Sequence, residues 1–168
     1  MATNVLNLTK VEKQTILTDT CSYNLSEQLR TSILLLIDFA DRKHLELKAD
    51  FEEYFITANE ELMKQVWINL VQNAIKFAPD YSTVDFRIIP SDGHISVSIT
   101  NESETLTPEQ QEKIFNKFYQ ADESRSTEGT GIGLAIVQRI VNLHQGCVHV
   151  QSARNLTTFT VTLPDICA

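Results

Sequence analysis

The sequence predicts an α/β fold, a two-layer sandwich in which a largely antiparallel sheet is covered on one face by helices. Apolar residues alternate over residues 84–88 and again over 95–99, with Asp92 and Gly93 between the two runs, which predicts a β-hairpin. Other segments repeat apolar residues every three or four positions, as amphipathic helices do. Because helices and strands do not alternate in regular βαβ units, the pattern favours this sandwich over a doubly wound parallel sheet.

Length and composition indicate one globular domain and exclude several function classes. The 168 residues include 14 lysines and arginines and 22 aspartates and glutamates, a net charge of −8. A broad nucleic-acid surface is therefore not expected. The longest apolar run, residues 33–37, is far shorter than the ~20 residues of a membrane helix, so no membrane contact is expected. Widely spaced Cys21, Cys147 and Cys167 indicate thiols in a reducing, cytoplasmic compartment rather than a disulfide or zinc scaffold.

Capping and breaking residues set the boundaries of the predicted elements. Asn24, Asn59 and Thr107 precede helices as N-caps, Pro79 stops the second long helix, and Gly146 is expected to end the last helix. In chain order, the predicted elements are a helix over 25–43, strands over 44–49 and 53–57, a helix from 60 to about 77, the hairpin, a short helix from 108, a helix over 132–144, and strands over 148–151 and 158–163.

Three of the five glycines, Gly129, Gly131 and Gly133, lie within five residues at the start of a predicted helix. Glycines let backbone N–H groups approach an anion closely, and the helix dipole adds partial positive charge there. A dinucleotide fingerprint would need a preceding strand, and a Walker A loop would need Gly-Lys-Ser/Thr, so neither fits. The residues alone leave two interpretations open, an anion-binding loop and a loop that needs no ligand.

Asn69, Asn73 and Lys76 share one face of the second long helix. Asparagine is a mediocre helix former, so two of them stacked with a lysine suggest a function. Asparagine oxygens can bind Mg²⁺, and lysine can neutralise phosphate. The alternative is a solvated polar face.

These segments, taken together, resemble the motifs of the ATP-binding catalytic domain of two-component sensor histidine kinases. Residues 69–77 (NLVQNAIKF) resemble the N box, 114–119 (IFNKFY) the F box, 129–137 (GTGIGLAIV) the second glycine box, and 157–164 (TTFTVTLP) the closing strand. The resemblance extends from about residue 22 to residue 164 and implies the Bergerat fold of the GHKL superfamily.

The resemblance also implies ligands, domain boundaries and residue roles. Residues 15–168 would form the ATP-binding domain, and residues 1–14 would be the linker and the tail of the dimerisation hairpin. Asn73 would bind Mg²⁺, and Lys76 with Arg125 of the ATP lid would act on the transferred phosphoryl group. The ATP-binding residues implied are Asn69, Asn73, Lys76, Phe77, Asn101, Ser103, Leu106, Phe118, Tyr119, Gly129, Thr130, Gly131, Ile132, Gly133, Leu134 and Thr158.

The sequence departs from the family at the box that usually reads Asp-x-Gly-x-Gly. Here Asn101 replaces the aspartate, and Ser103 and Thr105 replace the glycines. Asn101 keeps the alternation of the preceding strand, so its side chain should face the pocket and its amide oxygen can accept a hydrogen bond from adenine. Gln120 stands where the family often has arginine, and Arg125 is the expected substitute.

The implied activity is transfer of the ATP γ-phosphoryl group to a histidine of a dimerisation hairpin. His44, His94, His144 and His149 are not followed by an acidic residue, so the acceptor is expected outside this chain. The implied partners are the hairpin of the parent kinase and a response regulator, and the parent would be membrane-anchored as in most of the family. Two alternatives remain: a degenerate nucleotide-binding or interaction module, and a GHKL serine kinase of the anti-sigma-factor type.

Overall fold

Strands and helices form two layers in the computed structural model, which describes residues 9–121 and 130–165. The strands are β1 (Cys21–Asn24), β2 (Glu46–Lys48), β3 (Phe55–Ala58), β4 (Thr83–Ser91), β5 (His94–Glu102), β6 (Cys147–Ala153) and β7 (Leu156–Pro164). The helices are α1 (Leu25–Leu34), α2 (Ile37–Arg42), α3 (Glu60–Phe77), α4 (Pro108–Lys113) and α5 (Gly133–Leu143).

Five strands form one sheet in the order β2-β4-β5-β7-β6, and β1 pairs with β3 in a separate two-stranded ribbon. β2 runs parallel to β4, whereas the other neighbours in the sheet are antiparallel. The predicted fold class is therefore confirmed. The hairpin is also confirmed, although its strands extend to Ser91 and from His94, so the turn is shorter than expected.

The core lies between the inner face of this sheet and the helices. Alternate residues of β5 are buried, and α3 packs against α1, α5 and β5. Trp67, Leu70, Phe86, Ile99 and Phe159 are almost completely buried. Burying each such side chain contributes about 1.5–3 kcal/mol, and this packing fixes the helix face that carries the asparagines.

The predicted helix over 25–43 is wrong in one respect, because it is two helices, α1 and α2. The chain breaks at Leu36, whose backbone angles (φ −114°, ψ 9°) are not helical. Leu29, Ile33, Leu36 and Ala40 are all buried and keep helical spacing across the break. Periodicity therefore could not reveal the break. The short strand β1 was also not predicted, since only Tyr23 of its four residues is buried.

Gly146 does not end the last helix in the predicted way. Gln145, not Gly146, has the left-handed backbone conformation, with φ of 58°. A Cβ at position 146 would overlap the carbonyl oxygen of Thr162 and lie 2.9 Å from Leu163. Glycine is thus needed there for the close approach of β7, which is a tertiary requirement.

Residues 9–13 are helical, and the segment that follows lies against the domain. Val11 is buried in the core, Arg139 of α5 donates to the carbonyl of Gln14 (2.7 Å), and Lys117 pairs with Glu12. Residues 1–8 and 166–168, which include Cys167, lie outside the described residues. Within residues 9–121 and 130–165, no helix is long and apolar enough to cross a membrane.

Candidate functional site

A pocket of about 370 Å³ lies between α3, the segment after β5, β7 and the start of α5. Its volume is within the range of small-ligand sites. It brings together most of the residues selected from the sequence. Those in its lining are Asn69, Asn73, Lys76, Phe77, Asn101, Ser103, Leu106, Tyr119, Thr130, Gly131, Gly133 and Leu134.

One side of the pocket, here called the helix end, consists of Asn69, Asn73 and Lys76 of α3 with Gly131 and Gly133. The Asn69 amide nitrogen donates to the carbonyl of Gln65 one turn earlier (2.8 Å), which holds its side chain along the helix. The Lys76 ammonium lies 5.3 Å from the centroid of the Phe77 ring. This side therefore presents amide groups and one cation on a single helix face.

At both glycines of the helix end, neighbouring atoms leave too little room for a side chain. Gly131 has φ of 65°, and a Cβ there would lie 2.9 Å from the Cα of Phe118. The Gly131 carbonyl also accepts a hydrogen bond from the Phe118 N–H (2.9 Å). A Cβ on Gly133 would lie 3.0 Å from the Asn69 amide oxygen. Because Gly131 and Gly133 have no side chains, the backbone of this segment can lie within contact distance of Phe118 and of Asn69 on α3.

The other side, here called the sheet end, consists of the lining residues Asn101, Ser103, Leu106 and Thr157, together with buried Ser152 of β6, which supports them but does not line the pocket. The hydroxyls of Ser103 and Thr157 are 2.7 Å apart, and those of Thr157 and Ser152 are 2.9 Å apart. The Ser152 hydroxyl also accepts from the Leu106 N–H (2.9 Å). The hydroxyls of Ser103, Thr157 and Ser152 thus form a continuous hydrogen-bonded chain that joins the segment between β5 and α4 to β7 and β6.

Asn101 is the most buried polar residue of the sheet end, with 2% of its surface exposed. Its burial and its place in the pocket lining confirm the predicted inward orientation. The amide nitrogen donates to the carbonyl of Glu102 (2.8 Å). The amide oxygen thus remains as the group of this side chain that can accept a hydrogen bond from a ligand.

The predicted site residue Thr158 lies on the other face of the sheet, away from the pocket. Its hydroxyl is 2.8 Å from that of Thr100, whereas Thr157 lines the pocket. Successive residues of a strand point to opposite faces, so only one of the two threonines can face the site. The register Asn101↔Thr157 decides which one it is, and the sequence does not specify that register.

Two other predicted residues, Phe118 and Ile132, are described by the structure but do not line the pocket. Phe118 is 68% exposed and its backbone N–H donates to the Gly131 carbonyl, and Ile132 is fully buried in the core. Arg125 and Gly129 lie outside the described residues.

The start of α3, at the end of the helix away from the pocket residues, is held by His144, which follows α5. The Asn59 N–H donates to Nε2 of His144 (3.1 Å), and Nδ1 of His144 is 2.8 Å from the carbonyl of Ile140. Burial lowers the pKa of His144, although the bond to Ile140 opposes this shift. The neutral ring with its proton on Nδ1 satisfies both partners. A second proton, on Nε2, would break the bond from Asn59, so the unfolded chain binds that proton more readily than the folded one. Folding stability should therefore decrease as the pH falls below about 6.5, the ordinary pKa of histidine.

Comparison with known proteins defines the class. Residues 58–166 match the profile of the "Histidine kinase-, DNA gyrase B-, and HSP90-like ATPase" family. Heme sensor protein HssS of Staphylococcus haemolyticus is 38% identical over 126 residues, which are 74% of this chain and 27% of that protein. The catalytic domain of histidine kinase ThkA superposes with a TM-score of 0.79 at 26% identity, over 88% of this chain and 97% of that one.

A second ThkA structure, in complex with response regulator protein TrrA, shares the fold with a TM-score of 0.81 at 24% identity, over 98% of this chain and 47% of that one. The chain therefore belongs to the histidine kinase-, DNA gyrase B- and HSP90-like ATPase family, as an ATP-binding catalytic domain of the histidine kinase type. It spans about a quarter of the HssS relative's length (27%). The comparisons do not support the degenerate module or the serine kinase.

Proposed function

We propose that this domain passes the γ-phosphoryl group of ATP to a histidine on the dimerisation hairpin of its parent protein. The observation that carries the proposal is that residues of the helix end and of the sheet end line one and the same pocket. Family membership supports ATP as the substrate. In this reaction the histidine nitrogen bonds to the γ-phosphorus while the bond to the β,γ-bridging oxygen breaks, leaving ADP.

The two ends suit different parts of ATP. The Asn101 oxygen would accept from the adenine amino group, which would place the base at the sheet end. Asn69, Lys76 and the backbone N–H groups of Gly133 and Leu134 would then meet the phosphates, where a helix N-terminus favours negative charge. The other pocket residues named from the sequence would enclose the nucleotide: Phe77, Ser103, Leu106, Tyr119, Thr130 and Gly131. The structure gives no reason to add Phe118, Ile132 or Thr158.

Mg²⁺ fits this donor set with Asn73 as its protein ligand. Among the described residues, no group of three His, Cys, Asp or Glu side chains could hold a metal. Mg²⁺ commonly uses one or two protein oxygens and completes its shell with substrate phosphates and water. The Asn73 amide lines the pocket and supplies such an oxygen. When bound, Mg²⁺ neutralises phosphate charge. Lys76 would orient the γ-phosphoryl group, and the family resemblance implies the same role for Arg125.

The partners follow from the reaction. The acceptor histidine would be on the parent's hairpin, and residues 1–14 would be the end of that hairpin and its linker. The phosphoryl group would pass on to a response regulator, as the ThkA complex with TrrA suggests by analogy. The supply of ATP would place this domain in the cytoplasm.

Calorimetric titration of the chain with ATP tests binding, with and without Mg²⁺. We expect saturable binding that strengthens with Mg²⁺, and absence of binding under both conditions would refute the proposal. For transfer, the parent protein incubated with γ-labelled ATP should acquire label that is lost in acid and stable in alkali, as phosphohistidine is. Acid-stable label would indicate a serine kinase instead.

A further inference from the structure

Lys43 holds the C-terminal end of α3, the helix that carries five residues of the pocket lining. Its ammonium group donates to the carbonyls of Ile75 (2.8 Å) and Lys76 (3.0 Å) and to that of Ala78. An ammonium group has three donors, and all three are used here. Lys43 follows α2, so this contact joins the end of one helix to the end of another.

The residues at the C-terminus of α3 explain why its last carbonyls need a hydrogen-bond donor from another part of the chain. The last four carbonyls of a helix have no partner within it. The carbonyl of Ile75 would otherwise meet the N–H four residues on, but that residue is Pro79, which has none. Ala78, which precedes the proline, is already extended, with φ of −62° and ψ of 133°. Lys43 supplies the missing donors and a positive charge where the helix dipole is negative.

Lys43 is itself held in place by the backbone on both sides. Its N–H donates to the carbonyl of Ala40 (3.1 Å), and its carbonyl accepts from the N–H of Tyr81 (2.9 Å). The ring of Tyr81 stacks on His44, with centroids 4.7 Å apart. Burial lowers the pKa of Lys43, and nearby Asp80 opposes the shift. The ammonium is therefore partly shielded from water, which strengthens its hydrogen bonds.

The turn that Lys43 holds is the one that directs pocket side chains. The Lys76 carbonyl contacts Lys43, whereas the Lys76 side chain and the Phe77 ring line the pocket. Lys43 itself does not line it. The hydrogen bonds by which Lys43 reaches the site are therefore those to the backbone of this last turn.

We propose that Lys43 is a positioning residue of the nucleotide site, which fixes the last turn of α3 and thereby aims Lys76 and Phe77. The inference rests on the proposed ATP site and adds a residue to it that does not contact the ligand. It predicts that Lys43 matters more for the phosphates than for the base, because the base would lie at the sheet end.

The test compares the whole chain with its Lys43→Met variant, which keeps a side chain of similar length and removes charge and donors. Affinities for Mg²⁺-ATP and for adenosine are measured by titration at a temperature where both proteins are folded. We expect ATP affinity to fall roughly fivefold or more, and adenosine affinity to change less than about twofold. Lys48→Met is the matched control, since Lys48 is exposed and its nearest carboxylate partner, Glu46, is 3.5 Å away.

Each outcome decides the inference. Equal losses for ATP and adenosine would indicate a general loosening of the folded domain, and unchanged ATP affinity would show that Lys43 does not position the site. Both results overturn it. If the unmodified chain binds no ATP, the proposed function fails first and the positioning role with it. Should Lys43→Met not fold, Lys43→Gln, which is shorter and keeps two of the three donors but not the charge, must show a smaller loss that is still selective for ATP. Equal losses for ATP and adenosine, or no loss for ATP, would overturn the inference in this variant as well.

Discussion

The two ends of the pocket are built in different ways. At the sheet end, Ser103, Ser152 and Thr157 bond to one another across three segments of chain, so their polar groups are satisfied before any ligand arrives. At the helix end, Gly131 and Gly133 have no side chains, and the loop approaches Phe118 and α3 to within contact distance. A preorganised hydrogen-bond chain suits recognition of a rigid base, whereas exposed backbone and a helix face suit phosphates.

The largest effect is expected from adding one methyl group to the helix end. Gly131→Ala should lower the free energy of unfolding by about 2–3 kcal/mol, because the left-handed conformation is strained for alanine and the Cβ would meet the Phe118 backbone. Gly93→Ala is the control, since φ is 70° there but no atom lies within 4 Å of the Cβ. It should cost about 1 kcal/mol. Equal losses in chemical denaturation would show that space at Gly131 is not limiting.

Asn73→Ala tests the metal-binding role assigned to the helix end. We expect Mg²⁺-ATP affinity to fall about tenfold or more, while the melting temperature without nucleotide stays nearly unchanged. The reason is that the Asn73 side chain is a half-buried part of the pocket wall rather than of the core. Lys64→Ala, on α3 but outside the pocket, is the matched control. A marked fall in melting temperature would make Asn73 a structural residue instead.

Asn101→Asp tests the sheet end. A carboxylate would give a charge-assisted bond to the adenine amino group, so affinity for ATP and for adenosine should rise together, by about fivefold. The domain without nucleotide should lose more than about 1 kcal/mol, because the Glu102 carbonyl loses its donor and a carboxylate is buried without a cationic partner. Titration and thermal melting measure the two effects separately. If neither ligand binds more tightly, Asn101 does not face the base.

The smallest effect is expected from Ser103→Gly, which restores the glycine usual in the family. The Ser103 hydroxyl is turned toward Thr157, 2.7 Å away, so its removal should change ATP affinity by no more than about twofold. Stability should fall by about 1 kcal/mol through the lost hydrogen bond. A tenfold gain in affinity would instead mean that Ser103 crowds the base.

Patterns that depend on neighbours along the chain were predictable. Asn59 caps α3 through the Leu62 N–H (2.9 Å), and Thr107 forms a full capping box with Gln110. The face shared by Asn69, Asn73 and Lys76 lines the pocket as helical spacing requires. These features are determined by local geometry, so the order of residues is sufficient to predict them.

Features that join distant segments were not predictable. Lys43 and Ile75 are 32 positions apart, and Ser103 and Thr157 are 54 apart. The choice of Thr157 over Thr158 depends on the register between β5 and β7, and the role of Gly146 depends on how closely β7 approaches it.

The sequence by itself thus determined the fold class, the family resemblance and the helix that carries the site, because each follows from short-range periodicity and motif order. Only the tertiary structure decided which groups complete the pocket, how the sheet end is hydrogen-bonded and what holds the end of α3. Strand register and side-chain contacts across long loops depend on the packing of the whole core, which no local segment encodes.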